Sequence, residues 1–223
     1  MKNYGLIGKS LKHSFSETYF NKKFRKLNLK DHHYNNYEIK NVAAVKKLIK
    51  KNNLIGLNVT IPFKEEIIKI LDKLDRNAKI TNSVNTIKLE KNKLIGYNTD
   101  IIGFEKSIIP NIDKRKNALI LGNGGASKSI QYVLKKLNIN FTVISRKGDN
   151  KYCNLKKEDI ISHKIIINTT PLGMYPKIDL YPNILYEFIN NEHLVYDLIY
   201  NPIETLFLKK AKNNGSKIKN GHE

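Results

Sequence analysis

The sequence predicts an α/β chain of two domains. Three observations lead there. Short apolar runs of strand length alternate with segments whose apolar residues recur at helical spacing. A glycine-rich loop, Gly122-Asn123-Gly124-Gly125-Ala126-Ser127, lies directly between an apolar run and a helical segment. Two polar, turn-prone stretches in the first half each end on an ionisable side chain, Lys64 and Asp100.

In order along the chain, residues 4–8 form a short strand that runs into a loop. Ser14-Phe15-Ser16-Glu17 has the spacing of a capping box, with Phe20, Phe24 and Leu27 following at helical intervals. Residues 34–39 read as a strand, and Val42, Val45, Leu48 and Ile49 as one face of a helix. Residues 54–59 are strand-like and residues 64–74, after Pro62, are expected to be helical. Residues 84–89 and 94–97 flank Glu90-Lys91-Asn92-Lys93 as a hairpin. The handover to a second domain falls at residues 100–103, giving domains of 1–100 and 101–223. There, residues 117–121 form a buried-type strand, the glycine loop opens a helix running to Leu137, and strands follow at 141–144, 164–168 and 194–197. Strand, glycine turn, helix, strand is the grammar of a Rossmann-type dinucleotide-binding domain.

With 223 residues the chain has enough apolar side chains for real cores. It contains no run of eighteen apolar residues, and its N-terminus soon turns polar, so neither a membrane span nor a signal peptide is expected. Cys153 is the single cysteine, which excludes an internal disulfide and a cysteine-built zinc site and suits a reducing cytoplasm. The formal charge of +20 comes mostly from lysines scattered along the chain, without a basic tail or an arginine cluster interleaved with aromatics. That pattern argues against specific nucleic-acid binding and for a field that attracts small anions.

The chemistry-bearing residues follow from this layout. Glycines at 122, 124 and 125 with Ala126 let a pyrophosphate approach the backbone and the helix N-terminus. The next strand ends Ser145-Arg146-Lys147, offering cations and a hydroxyl where an NAD-binding domain places an acid, so NADP is the favoured cofactor. Asn168-Thr169-Thr170-Pro171-Leu172-Gly173-Met174 leaves a strand at its C-terminal end, where open α/β sheets bind ligands. In the first half, Ser14 and Ser16 suit a carboxylate, one of them also serving as a helix cap. Asn58, Thr60 and Asn85 are uncharged groups able to bond hydroxyls, and His13 is more fitting as a loop residue than as a catalyst. No metal-ligand cluster is present in the pattern.

Taken together these segments resemble the shikimate dehydrogenase family. The resemblance rests on seven stretches in the family's order: residues 8–16 with Ser14 and Ser16, Asn58-Val59-Thr60-Ile61-Pro62-Phe63-Lys64, Val84-Asn85-Thr86, Asn98-Thr99-Asp100 through Gly103, the loop at 122–127, Asn168 through Met174, and Asp197 through Thr205. It implies an NADP-linked interconversion of 3-dehydroshikimate and shikimate in aromatic amino-acid biosynthesis, with the active site in a cleft between the domains. It further implies Lys64 and Asp100 as the catalytic pair and Ser14 and Ser16 on the substrate carboxylate. Thr60, Asn85 and Asp100 would hold ring hydroxyls, with Tyr200 closing the site. Gly122, Gly124, Gly125, Ala126, Ser145, Arg146, Lys147, Thr169, Met174 and Gly221 would serve the cofactor. The partner is a small molecule, the chain a monomer or homodimer with no membrane. Two family prolines are replaced by Ser10 and Glu17, which questions the rigidity of the first loop and sets a negative charge near a carboxylate site. Return helices that follow the last glycine in the family are missing after Gly221, and a chain ending there is expected to be less stable and weaker in substrate binding. Two other readings fit the residues less well: an NAD-using quinate/shikimate dehydrogenase, and a basic binding protein that has lost catalysis.

Overall fold

A computed structural model describes residues 1–12, 14–146 and 150–221. The chain divides into two compact units, Met1–Thr99 and Asp100–Glu223.

The first unit is built on a mixed sheet. Its strands are β1 (Lys2–Gly8), β2 (His32–Glu38), β3 (Leu54–Val59), β4 (Lys73–Leu74), β5 (Thr86–Glu90) and β6 (Lys93–Tyr97), in spatial order β2-β1-β3-β5-β6-β4. β1 pairs in parallel with β2 and β3, β5 pairs antiparallel with β3, and β6 pairs antiparallel with β5. Helices α1 (Ser16–Lys26), α2 (Val45–Asn52) and α3 (Arg76–Thr81) complete the unit. Alternation along the strands divides the apolar side chains between two faces. Ile7, Leu57, Val59 and Ile87 join Val45 and Ile49 of α2 in one core. Leu6, Leu11 and Tyr34 form the other, beneath Phe20 and Phe24 of α1.

β2 is an edge strand, and α1 covers it by side chain. Asn21 donates to the Tyr34 carbonyl at 2.7 Å and accepts from the Tyr34 amide at 3.0 Å, while Glu17 accepts from the Asn36 amide at 3.2 Å. Four residues of helix rise about 6 Å and two of strand about 6.6 Å, so a helix pair at i and i+4 matches a strand pair at i and i+2. This arrangement corrects the capping box expected at Ser14 and Glu17. The Ser14 amide already donates to the Leu11 carbonyl, and the Ser14 hydroxyl accepts from the Ser16 amide, which leaves Glu17 for β2. The helix expected over residues 64–74 is also corrected. Only a 3-10 turn, Glu66–Ile70, forms there. The following backbone joins the sheet instead, where Asp72 and Asp75 amides donate to Leu94 and Gly96 carbonyls. Asp75 then caps α3, accepting from the Ala78 amide at 2.7 Å.

The second unit is a wholly parallel sheet. It opens with α4 (Asp100–Ile108) and continues as β7 (Asn117–Leu121), α5 (Gly125–Lys136), β8 (Asn140–Ile144), α6 (Lys157–Ser162), β9 (Ile165–Asn168), β10 (Leu194–Asp197), α7 (Leu206–Asn213) and β11 (Lys217–Lys219). The strand order is β11-β10-β9-β7-β8. Each strand divides its side chains between two buried faces, as parallel strands covered on both sides do. Ala118, Ile120, Ile165, Ile167 and Leu194 pack with α4 and α5, whereas Leu119, Leu121, Ile166 and Val195 pack with α6 and α7. The chain leaves β7 to one side for β8 and returns to the other for β9. The point where the order reverses therefore lies between β7 and β9, and open α/β sheets bind ligands outside the strand ends at such a point. No helix among the described residues is long and apolar enough to cross a membrane.

Candidate functional site

In the first unit, the C-terminal ends of β1, β3 and β6 meet the start of β5, and the sequence motifs converge there. Asn58 lies opposite Thr86 in the β3–β5 register. Its amide nitrogen donates to the Thr86 hydroxyl at 3.2 Å and to the Asn85 carbonyl at 3.4 Å, and its oxygen accepts from the Tyr34 phenol at 2.7 Å. The Asn85 side-chain oxygen accepts from the Thr99 amide at 2.9 Å, while its nitrogen donates to the Thr99 hydroxyl at 2.8 Å. Asp100 follows Thr99 directly and begins α4. The carbonyl of Lys64 accepts from the Val84 amide at 2.8 Å, which fixes the lysine's backbone one residue from Asn85. Thr60 donates its amide to the Ile7 carbonyl, and a Cβ on Gly8 would stand 2.7 Å from the Thr60 methyl, so only glycine lets these two strand ends approach. Beneath this layer the buried Asn98 amide donates to the Thr81 hydroxyl and the Ser83 carbonyl, both at 3.0 Å.

The first loop is held without its prolines. The Leu11 amide donates to the Glu38 carboxylate at 2.7 Å, and the Leu11 side chain is buried. Glu17, bonded to β2, is part of the α1 anchor. Ser14 and Ser16 are half-buried at the start of that helix, and His13 lies outside the described residues.

In the second unit the reversal point of the sheet coincides with the glycine turn. Leu121 is in register with Asn168, and the Leu121 carbonyl accepts from both the Thr169 amide at 2.9 Å and the Thr169 hydroxyl at 2.8 Å. Gly122 has φ of +106°, and a Cβ there would stand 2.7 Å from the Thr169 hydroxyl. Gly124 is the N-cap of α5 with no side chain to bond the first-turn amides, and space is open around it. Gly125 and Ala126 form that first turn. At the end of β8 the Ser145 amide donates to the Asn150 carbonyl, and Arg146 is exposed. Burial pushes the Tyr152 phenol up to about 12, offset in part by Arg146, so a neutral phenol stands close to a cation. Lys147 lies outside the described residues.

Loops from β9 and β10 are tied around one carboxylate. Asp197 is fully buried and accepts from the Asn168 side chain at 3.1 Å, the Ile199 amide at 3.0 Å and the Thr205 hydroxyl at 2.6 Å. Desolvation pushes its carboxyl up to about 7 in spite of these donors. Asn168 in turn accepts from the Thr170 amide and hydroxyl, and Thr205 caps α7. Tyr175 donates its amide to the Asn201 carbonyl at 3.3 Å, joining the loop of Met174 to the loop of Tyr200, both residues being exposed. Gly221 donates its amide to the Ile199 carbonyl, and a Cβ on it would collide with the Leu198 carbonyl oxygen.

Of the residues picked from sequence, Thr60 follows β3, Asn85 precedes β5 beside the ends of β3 and β6, and Gly122 and Thr169 follow β7 and β9. Tyr34, Thr86, Thr99, Asn168, Asp197 and Thr205 are parts of these sites with no role expected from sequence. Their signal was present for Asp197 and Thr205, whose eight-residue spacing forms a strand end and a helix cap. Tyr34 gave none, because only tertiary packing brings it to Asn58. A groove of about 370 Å³ lined by Ile49, Lys50, Leu54 and Leu89 lies at the other end of β3 and belongs to neither site.

Comparison with known proteins agrees with this layout. The sequence profile of the shikimate dehydrogenase substrate binding domain matches residues 6–87. A relative from Methanococcus vannielii named shikimate dehydrogenase (NADP(+)) is 40% identical over 243 residues, an alignment covering 97% of this chain and 84% of the relative. The chain belongs to the shikimate dehydrogenase family. Among solved shikimate dehydrogenases, that of Peptoclostridium difficile superposes with a TM-score of 0.87 at 37% identity, covering 99% of this chain and 86% of that one. The Thermus thermophilus enzyme, solved in complex with NADP(H) and shikimate, gives 0.85 at 26% identity over 99% and 87% of the two chains. Membership in the shikimate dehydrogenase family accounts for both sheets and for the collinear motifs at their strand ends.

Proposed function

We propose that this chain is an oxidoreductase that reduces 3-dehydroshikimate to shikimate with NADPH, reversibly, as a step of aromatic amino-acid biosynthesis. The observation that carries the reading is the Asn58–Thr86–Asn85–Thr99 web at the ends of β1, β3 and β6, anchored beside the backbone of Lys64. It offers several uncharged groups to a ring polyol, in a chain 40% identical to a relative named for this activity.

The second unit fits an NADP-type dinucleotide on its own geometry. A Cβ-free turn at Gly122 and the uncapped start of α5 suit a pyrophosphate, and Arg146 at the end of β8 suits a 2′-phosphate with Ser145, while Lys147 is assigned there from sequence alone. Thr169, Met174 and Gly221 would border the nicotinamide end. The reduced cofactor, when bound, supplies the hydride. Ser14 and Ser16 would hold the substrate carboxylate, and Thr60, Asn85, Asp100 and Tyr200 its ring and hydroxyls. Hydride arriving at the carbonyl carbon leaves negative charge on its oxygen. Lys64 and Asp100 would serve as the catalytic pair, one stabilising that charge and the pair supplying the proton that the oxygen gains.

The test follows NADPH absorbance with shikimate or quinate and with NADP+ or NAD+. Shikimate with NADP+ is expected to be turned over best, and Lys64→Ala to lower kcat by about 10²–10⁴-fold. Absence of turnover together with a salt-sensitive shift of RNA on a gel would instead select a basic binding protein.

A further inference from the structure

Proton and hydride transfer make no use of Tyr34, yet its phenol oxygen bonds the middle of the substrate-side web. The ring is placed before the hydroxyl is considered. It is 3% exposed and stacks on Phe20 of α1, with ring centroids 4.6 Å apart and planes 17° from parallel. Its backbone is clamped at both polar atoms by Asn21 of the same helix. The hydroxyl then donates to Asn58 Oδ1 at 2.7 Å.

Chemistry decides which way the Asn58 amide faces. Its other end meets the Asn85 backbone carbonyl, which can only accept, so that end must be the NH2. The carbonyl end therefore faces Tyr34, and the phenol must be the donor. From there the bonds continue to Asn85, whose oxygen also accepts from the Thr99 amide. Asn58 donates to the Thr86 hydroxyl, Thr86 donates to Asn85 Oδ1 at 3.2 Å, and Asn85 donates to Thr99 at 2.8 Å. Linked bonds of this kind polarise and hold one another, so a donor fixed at one end steadies the side chains beyond it.

We propose that Tyr34 is a positioning residue for the substrate: held by α1, its phenol pins the carbonyl end of the Asn58 amide, whose NH2 end the Asn85 carbonyl orients, and so fixes where Asn58, Thr86 and Asn85 stand toward ring hydroxyls. The inference rests on the functional reading above and deepens it. Helix α1 begins at Ser16 and carries both Phe20 and Asn21, so one element anchors the serines proposed for the carboxylate and the tyrosine that sets the amides. A compact ring acid with hydroxyls at a fixed separation from its carboxylate is the ligand such a frame selects. Without the phenol, Asn58 Oδ1 loses that donor and the side chain keeps only the bonds at its NH2 end, so its position loosens while its orientation stays.

The experiment is steady-state kinetics of Tyr34→Phe, Asn58→Ala and the double variant, with shikimate and NADP+ each varied. Tyr34→Phe keeps the stacked ring and should lower the melting temperature by only about 2–4 °C. Shikimate KM should rise about 3- to 10-fold, the effect of one neutral hydrogen bond, with NADP+ KM unchanged. Added to Asn58→Ala, the tyrosine change should have no further effect. Active wild-type protein with an unchanged shikimate KM in Tyr34→Phe overturns the inference alone. So does an equal rise in both KM values, or a full additional loss in the double variant, each of which marks a purely structural phenol. Wild-type protein that does not turn over shikimate overturns the functional reading and this inference with it.

Discussion

Asp197 shows how one residue serves position and stability with opposing demands. Three donors hold its carboxylate between the loops of Met174 and Tyr200, but full burial disfavours the charge and pushes the carboxyl from 3.8 up to about 7. Between these values the folded chain keeps a proton that the unfolded chain has released. Its contribution to stability is therefore full below the unfolded value and is lost as pH rises through about 7. His193 acts in the opposite sense: burial lowers its pKa, so its contribution is full above the ordinary histidine value and is lost as pH falls below that value and through the lowered one. Tyr186 also senses Asp197, and its phenol is raised by burial and stays neutral across this range. The wild-type melting curve mixes these effects; comparison with Asp197→Asn isolates one. Thermal melts from about pH 5 to 8 should show wild-type stability falling relative to the variant as pH rises. Parallel profiles would mean that Asp197 stays ionised throughout.

At the scale of elements, the strand end of β7 and the start of α5 depend on one backbone conformation. Gly122 has φ of +106°, a region that side chains disfavour, and the space where a Cβ would go is filled by the Thr169 hydroxyl 2.7 Å away. Gly122→Ala should destabilise the chain by about 1–3 kcal/mol, the range for a strained backbone position. It should also weaken NADP+ binding, because the turn that aims α5 would shift. Calorimetric melting and fluorescence titration with NADP+ measure the two effects, and a variant with unchanged values would show that the turn tolerates a side chain. In the other unit α1 is matched to β2 by side-chain bonds at i and i+4, protecting an edge strand that would otherwise offer free amides.

At the scale of the whole molecule, each unit has its own core, and the glycine turn with Thr169 lies in the second while the Asn58–Asn85 web lies in the first. Ligands should therefore leave separate signatures in amide hydrogen exchange. NADP+ should slow exchange chiefly in the second unit, at the ends of β7 and β9, because binding stabilises the folded form of what it touches. Shikimate should slow it chiefly around β3, β5 and α1. Protection of the first unit by NADP+ alone would contradict the assignment of cofactor to the parallel sheet.

The sequence by itself determined the alternation of strands and helices, the division near Asp100 and the strand–glycine–helix unit, because these are written in local periodicity and backbone freedom. It also put forward Lys64, Asn85, Asp100 and Gly122 as site residues, through motifs whose spacing is local, and those roles stand as proposals. It misjudged residues 64–74, where Asp72 and Asp75 find partners on β6 and the helix gives way to sheet. It misjudged Glu17, whose partner is on β2 and not on its own helix. Only the tertiary structure decided that Tyr34 meets Asn58, that Thr169 braces Gly122 and that Asp197 ties two loops. Those bonds join residues distant in sequence, and their partners become known only when the strands are in register.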